Sequence, residues 1–461
     1  MRATAVGAVV TAFALAGTGT AVADPGPATV TVRADQVITT VQRDSIGANT
    51  PIWNGHLLDP ATPGLIRRAG LGELEFNGGG VSDLYHWRTG TLSPDPERDL
   101  HDTDYSELPA QFGFDQFEHI AHETGASTLV HVNYGTGSPQ EAAAWVRYAN
   151  RIRHDGVRDW AIGEEVYLNG ALGINVEPDA HQDKSATAYG RNVVAYAKAM
   201  KAVDPSVRIG VELAPPAPGT PFQTWDQQVL AAAGDSVDFV DLHWYPFGAQ
   251  GFFDAVRELP TVLAETRAMV GPRVRIVVGE TNSAVARGDQ QTSVDNALYL
   301  ADDELTALEN GASSVDWWAL YNGSTDDDYY SDLGLISSGG QLASGAGPSP
   351  TDVPFTPYYG QELTTALASP GSRLVTVDGA AGPVVTYAAR QRDGSLVVLL
   401  LNEDLAAAHE IDLAVAGYHA RPGALQLSVG GHGITRSAAA ATGARTLPPD
   451  SITELVLRPA R

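Results

Sequence analysis

Short apolar runs that close on polar or charged residues recur between Ile46 and Leu320, and longer amphipathic segments separate them. The runs read as β-strands at Ile46–Asn49, Glu73–Phe76, Thr128–Asn133, Trp160–Glu165, Val207–Leu213, Phe239–Tyr245, Val274–Glu280 and Val315–Leu320. The segments between them carry helical periodicity. Pro139 to Arg153 opens with a proline where a first helical turn tolerates one, and Ser185 to Val203 opens with a serine cap. Eight alternations of strand and helix predict a (β/α)8 barrel, whose working residues stand at the C-terminal ends of the strands. A doubly wound sheet would alternate in the same way, but no G-x-G-x-x-G follows the first strand.

The rhythm changes near Pro370. From Arg373 onward short strands alternate with Gly, Asp and Pro turns, the pattern of a β-sandwich. The β-branched stretch at residues 28–42 precedes the barrel and is expected to pair into that sandwich. The predicted organisation is therefore 1–23 an export signal, 24–44 N-terminal strands of the sandwich, 45–370 the barrel and 371–461 the rest of the sandwich.

The signal is read from Arg2, an apolar Ala5 to Ala16 and an A-x-A site at Ala21–Ala23. It implies a secreted, extracellular protein, and no later run is long enough to suggest a membrane span. The 461 residues include no cysteine, so disulfides and thiolate metal ligands are excluded. A formal net charge of −26 argues against nucleic acid, anionic lipid and polyanionic glycans as partners, and leaves neutral carbohydrate open. Oligomeric state is not legible.

Two of the apolar runs end in acids. Trp160–Glu165 closes on Glu164 and Glu165, and Val274–Glu280 closes on Glu280. A carboxyl at the rim of a barrel wall is costly unless it is paired or used. Two such groups on different strands are what hydrolysis of a glycosidic bond needs, one as acid/base and one as nucleophile. On the sixth strand, alternation sends His243 and Tyr245 to one side and Trp244 to the other. A tyrosine beside Glu280 is expected to hydrogen-bond its carboxylate and hold it ionised. On the eighth strand either Trp317 or Trp318 is a candidate sugar platform, the other belonging to the core.

These motifs resemble those of the clan A retaining glycoside hydrolases, in particular the family 51 α-L-arabinofuranosidases and the family 79 heparanase and β-glucuronidase group. The resemblance implies that Glu165 is the acid/base and Glu280 the nucleophile. It also implies that His243 and Tyr245 support the site, that Asn133 on the third strand contacts substrate, and that no cofactor or metal is needed. Two positions depart from it. Glu164 replaces an Asn that would bond the sugar 2-hydroxyl, and Glu75 replaces an Arg that would face the nucleophile. Both acids are expected at the substrate rim, where like charges would keep some carboxyls protonated. A catalytically silent carbohydrate-binding protein on the same scaffold is the alternative these departures leave open.

Other acidic and histidine features carry plainer readings. His119 and His122 lie one helical turn apart with no third ligand in view, so a solvated helix face is expected. Asp326 to Asp328 match no EF-hand spacing and read as an acidic loop. Glu212 reads either as a further rim acid or as an ion-pair partner at the edge of the core.

Overall fold

The computed structural model describes residues 28–99, 104–216, 219–246, 251–283, 289–323, 332–340, 349–379, 381–431 and 433–460. Residues 1–23, expected to be an export signal, and Asp326 to Asp328 lie outside them. Eight parallel strands close a barrel: Ile46–Asn49, Glu73–Phe76, Ser127–Val132, Asp159–Ile162, Arg208–Leu213, Phe239–Trp244, Arg275–Thr281 and Ser314–Trp317. They are called here barrel strands one to eight. Each pairs with its neighbours in sequence, and strand eight closes on strand one through Val315 opposite Ile46. This is the order that right-handed β/α crossovers generate.

The helices between the strands begin where their caps stand. Ser138 accepts from the Glu141 amide ahead of Pro139–Val146, and Ser185 accepts from the Ala188 amide ahead of Ala186–Val203. Each serine satisfies an amide that has no partner inside its own helix. Among the described residues no helix is long and apolar enough to cross a membrane.

The second unit is one nine-stranded mixed sheet curled around its own apolar core. Ala28–Thr40 is part of it, antiparallel to Arg373–Asp378 on one side and parallel to His409–Ala416 on the other. The predicted barrel and sandwich, with the sandwich completed from the N-terminal side, are the observed architecture. Strand Leu396–Asn402 shows why it reads as an unbroken apolar run. Leu396, Val398 and Leu400 enter the sandwich core, while Val397, Leu399 and Leu401 join the large core that includes the barrel helices. A strand covered on both faces has no polar side to alternate with.

The barrel lumen is unusual in its chemistry. Barrel interiors are normally filled by branched apolar side chains, but here strands two, five, six and eight bury Glu73, Glu75, Glu212, Asp241 and Asp316. Two glycines make room for them, since a β-carbon on Gly47 would collide with the Asp316 carboxyl and one on Gly279 with that of Asp241. At the floor, Arg208 pairs with Asp159, and Arg275 reaches Asp44 at 3.0 Å and Asp159 at 3.3 Å.

Candidate active site

Strand four stops at Ile162, earlier than predicted, because Gly163 turns the chain with φ 83°. Glu164 and Glu165 therefore stand in the turn before helix Val166–Leu172, with Glu165 itself in the left-handed region at φ 42°. That conformation is strained for a residue with a β-carbon and is held by its surroundings. Asp83 supplies part of the hold. Its buried carboxylate accepts from the amides of Tyr134, Gly135 and Glu164, tying the turns after strands three and four together.

The geometry centres on His243 of strand six. Its Nδ1 lies 3.0 Å from Glu165 Oε1, 3.5 Å from Glu280 Oε2 and 3.6 Å from Glu164 Oε1. Three carboxyls from strand ends four and seven thus converge on one imidazole nitrogen. Tyr245 donates to Glu280 Oε2 at 2.7 Å, and Tyr167 donates to Glu165 Oε1 at 2.8 Å. The side chains differ in depth, with Glu165 23% exposed, Glu280 8% and Glu164 1%.

Electrostatics follow the depth. Glu280 is held well above the usual carboxylate range by burial and by the nearby charges of Glu164, Glu165 and Glu75, against which His243 pulls downward. Tyr245 makes the hydrogen bond expected of it, but burial and like charge outweigh it. Glu164 is pulled below its ordinary value: burial opposes this, and His243, His131 and a hydrogen bond with Glu280 override burial. The two neighbouring acids are thus pushed in opposite directions, Glu280 toward the protonated form and Glu164 toward the ionised one. Burial would neutralise His243, but the Glu280 and Glu164 charges raise it well above the normal histidine value.

Several expected substrate contacts are placed elsewhere. Glu75 does not reach the rim: it is fully buried in the lumen, with His131 Nε2 at 3.5 Å from its Oε1. Its charge is felt at Glu280 only from beneath. Asn133 is committed to its own turn, accepting from the amides of Thr136 and Gly137 and donating to the Tyr85 carbonyl. Trp317 is wholly buried in the large core near Tyr299. Trp318 is 9% exposed and packs with Tyr245, Leu333 and Trp53, whose ring centroid lies 6.0 Å away, so it is the strand-eight aromatic beside the carboxyls. Glu212 is a lumen residue, 3.7 Å from His243 Nε2. His122 is an exposed helix residue, although Asp155 and Glu118 stand 3.4 and 3.8 Å away.

The residue that sequence reading missed is His131 of strand three. Its Nδ1 is 3.0 Å from both Glu164 Oε2 and the Gly163 carbonyl, and its Nε2 faces Glu75 and Asp241. A lone histidine in STLVHV reads as core. The signal that would have found it is the polar spacing Glu73/Glu75 and Asp241/His243, two apart on strands that should be buried on both sides.

No family model matches the chain. Among curated proteins it is 28% identical over 229 residues to an exo-α-(1→6)-L-arabinofuranosidase of Bifidobacterium longum, covering 45% of this chain and 41% of that protein. It is 26% identical over 199 residues to an intracellular exo-α-(1→5)-L-arabinofuranosidase of Acetivibrio thermocellus, covering 39% of this chain and 37% of that one. The matched stretches thus span about two fifths of these relatives' own length. Among solved structures, the α-L-arabinofuranosidase of Thermotoga maritima in its arabinose complex superposes with a TM-score of 0.69 at 19% identity, over 94% of this chain and all of that one. The family 44 endoglucanase Cel44A of Clostridium thermocellum gives 0.63 at 13% identity, over 94% and 99%. In sequence and in fold, the chain resembles the family 51 α-L-arabinofuranosidases of clan A.

Proposed function

We propose that the chain is a retaining glycoside hydrolase of α-L-arabinofuranosidase type, acting on neutral arabinose-bearing glycans. The observation that carries this is the convergence of Glu165 Oε1 and Glu280 Oε2 on His243 Nδ1, at 3.0 and 3.5 Å. Two carboxyl oxygens so close to one nitrogen fit the spacing of about 5–5.5 Å in retaining pairs better than the roughly 6.5–9.5 Å that admits a water between them. The names of the relatives supply the sugar.

In this reading Glu165, the more exposed acid, gives its proton to the glycosidic oxygen as the bond to the anomeric carbon breaks. A Glu280 oxygen forms the new bond to that carbon. Glu165 then takes a proton from the water that cleaves the glycosyl-enzyme, so configuration is retained. Attack requires Glu280 ionised, which the positive charge developing at the anomeric carbon favours and the neighbouring Glu164 charge opposes. His243 holds the acids together while their charges redistribute.

A second reading, a sugar-binding protein without turnover, is favoured by that same Glu164–Glu280 contact, because a protonated nucleophile is inert. Aryl α-L-arabinofuranoside hydrolysis, followed by proton NMR of the first-formed anomer from about pH 4 to 8, separates the two. Turnover with retention supports the hydrolase. Inversion overturns the assigned mechanism, and binding without turnover of any aryl glycoside leaves the second reading standing. Export from the cell is also proposed, from the N-terminal signal pattern, and N-terminal sequencing of protein recovered from culture medium tests it.

A further inference from the structure

Beneath the carboxyls of the rim, the barrel lumen holds polar atoms with no hydrogen-bond partner. Both oxygens of Glu75, both of Glu212, Asp241 Oδ2 and His131 Nε2 are buried and unsatisfied. Glu75, Glu212, Asp241 and His131 are all fully inaccessible. An orphaned carboxylate at zero exposure costs several kcal/mol, and this region holds three acids around one imidazole.

The orientation of His131 is informative. Its Nδ1 stands 3.0 Å from the Gly163 carbonyl, which can only accept, so Nδ1 carries the hydrogen. Nε2 then points into the lumen, 3.5 Å from Glu75 Oε1 and 3.6 Å from Asp241 Oδ2. These are long for hydrogen bonds but are the edges expected between ligands of one small ion. Ligands at about 2.0–2.1 Å in a tetrahedral site stand about 3.4 Å apart. His131, Glu212 and Asp241 also offer ligand atoms within 4.8 Å of one another, with Glu212 Oε1 nearer to Nδ1, at 3.9 Å.

Two of the side chains are braced as metal ligands usually are. Asp241 is fixed by the Gly279 amide, which donates to its other oxygen, Oδ1, at 2.9 Å, and the His131 ring is fixed by Gly163. The geometry points to a divalent-cation site in the barrel lumen, formed by His131 Nε2, Glu75 and Asp241, with Glu212 alongside. One nitrogen and carboxylate oxygens suit a first-row ion such as Zn2+ or Mn2+. The site is closed to solvent and structural, supporting the floor under the carboxyl pair, and it does not depend on what that pair catalyses.

The test is metal analysis by plasma mass spectrometry on protein produced in medium supplemented with ZnCl2 or MnCl2, or with chelator. The same preparations are followed by thermal unfolding. One equivalent of ion is expected in wild type. It should fall below a tenth in the near-isosteric Glu75→Gln and Asp241→Asn and persist in His122→Ala, which alters only the exposed Glu118–His122–Asp155 cluster. Metal-grown wild type should also unfold at a higher temperature than chelator-grown, a gap the two lumen variants lose. A folded wild type without ion from either medium overturns the proposal. So does an ion that the lumen variants retain or that His122→Ala removes.

Discussion

Tyr245 donates its phenolic hydrogen to Glu280 Oε2 across 2.7 Å, while Trp244, the last residue of strand six, turns into the large core. Strand alternation thus places one ring to aim the carboxyl and the other to anchor the wall. Tyr245→Phe keeps the ring and removes the aim. It should lower kcat/KM for an aryl arabinofuranoside by roughly 10–100-fold with an unchanged melting temperature, a loss within the range of one positioned hydrogen bond to a reacting group.

The two proposed catalytic acids should fail differently. Glu280→Ala removes the nucleophile and should leave no measurable glycosyl-enzyme under rapid quench. Glu165→Ala should lower turnover by about 10²–10⁴-fold for substrates with poor leaving groups. With an activated aryl leaving group the first step should survive, and added azide, which needs no general base, should restore the second. Equal loss on all substrates would reassign Glu165.

Glu164 should reveal itself in the pH profile. Its negative charge helps hold Glu280 above the carboxylate range, and catalysis draws on ionised Glu280, so the acid limb of kcat/KM tracks that group. Glu164→Gln removes the like charge and should move the limb to lower pH. A limb that stays in place would show that Glu280 does not set it.

Glu75→Arg restores the residue that the resemblance calls for, yet it should damage the protein. The lumen at Glu75 is closed, and its carboxyl faces the buried imidazole of His131, whose Nε2 lies 3.5 Å from Oε1. A guanidinium there would be a larger charged group with neither solvent nor room to hydrate it. A loss of about 3–5 kcal/mol, the usual result of an uncompensated buried charge, should appear as a large drop in denaturant midpoint. Gain of activity without such a drop would mean that strand two is positioned otherwise.

Stability should also depend on Glu454, in the strand Ser451–Pro459 that backs the barrel. Burial alone raises its carboxyl to about 8. A folded-state value above the unfolded one means that the native state holds the proton more tightly. The stabilisation is complete below the unfolded value near 4.5 and is lost as pH rises toward 8. Glu454→Gln should therefore be more stable than wild type at pH 8, on the order of 3 kcal/mol, with the difference closing toward pH 5. Parallel melting curves at the two pH values check it.

What could be read in the sequence was whatever periodicity and a strand-end signal express. The strands were legible because a barrel wall demands apolar runs, and Glu164, Glu165 and Glu280 stood out as acids where such runs end. Lumen chemistry was harder to read. Glu75, Asp241 and Asp316 lie inside strands rather than at their ends, so nothing local distinguishes an acid facing seven other strands from one at a rim. Asn133 was misplaced for a related reason: it has the residue type for sugar contact, but its own turn claims it. His131 shows the limit most clearly, since its role comes from residues on strands two and six that only the closed barrel brings near it.

The sheet that spans both ends of the chain also sets an order of events during synthesis. Arg33 pairs with Asp378, 345 positions later, so the strand Ala28–Thr40 leaves the ribosome long before either of its flanking strands exists. Until then it is an unmatched edge beside a barrel that can already be closing, open to pairing with a neighbouring nascent chain. Its far half carries exposed Val37 and Ile38 even in the finished molecule. Yield from the cell should accordingly depend more on how quickly the last ninety or so residues are delivered than on the stability of the finished fold.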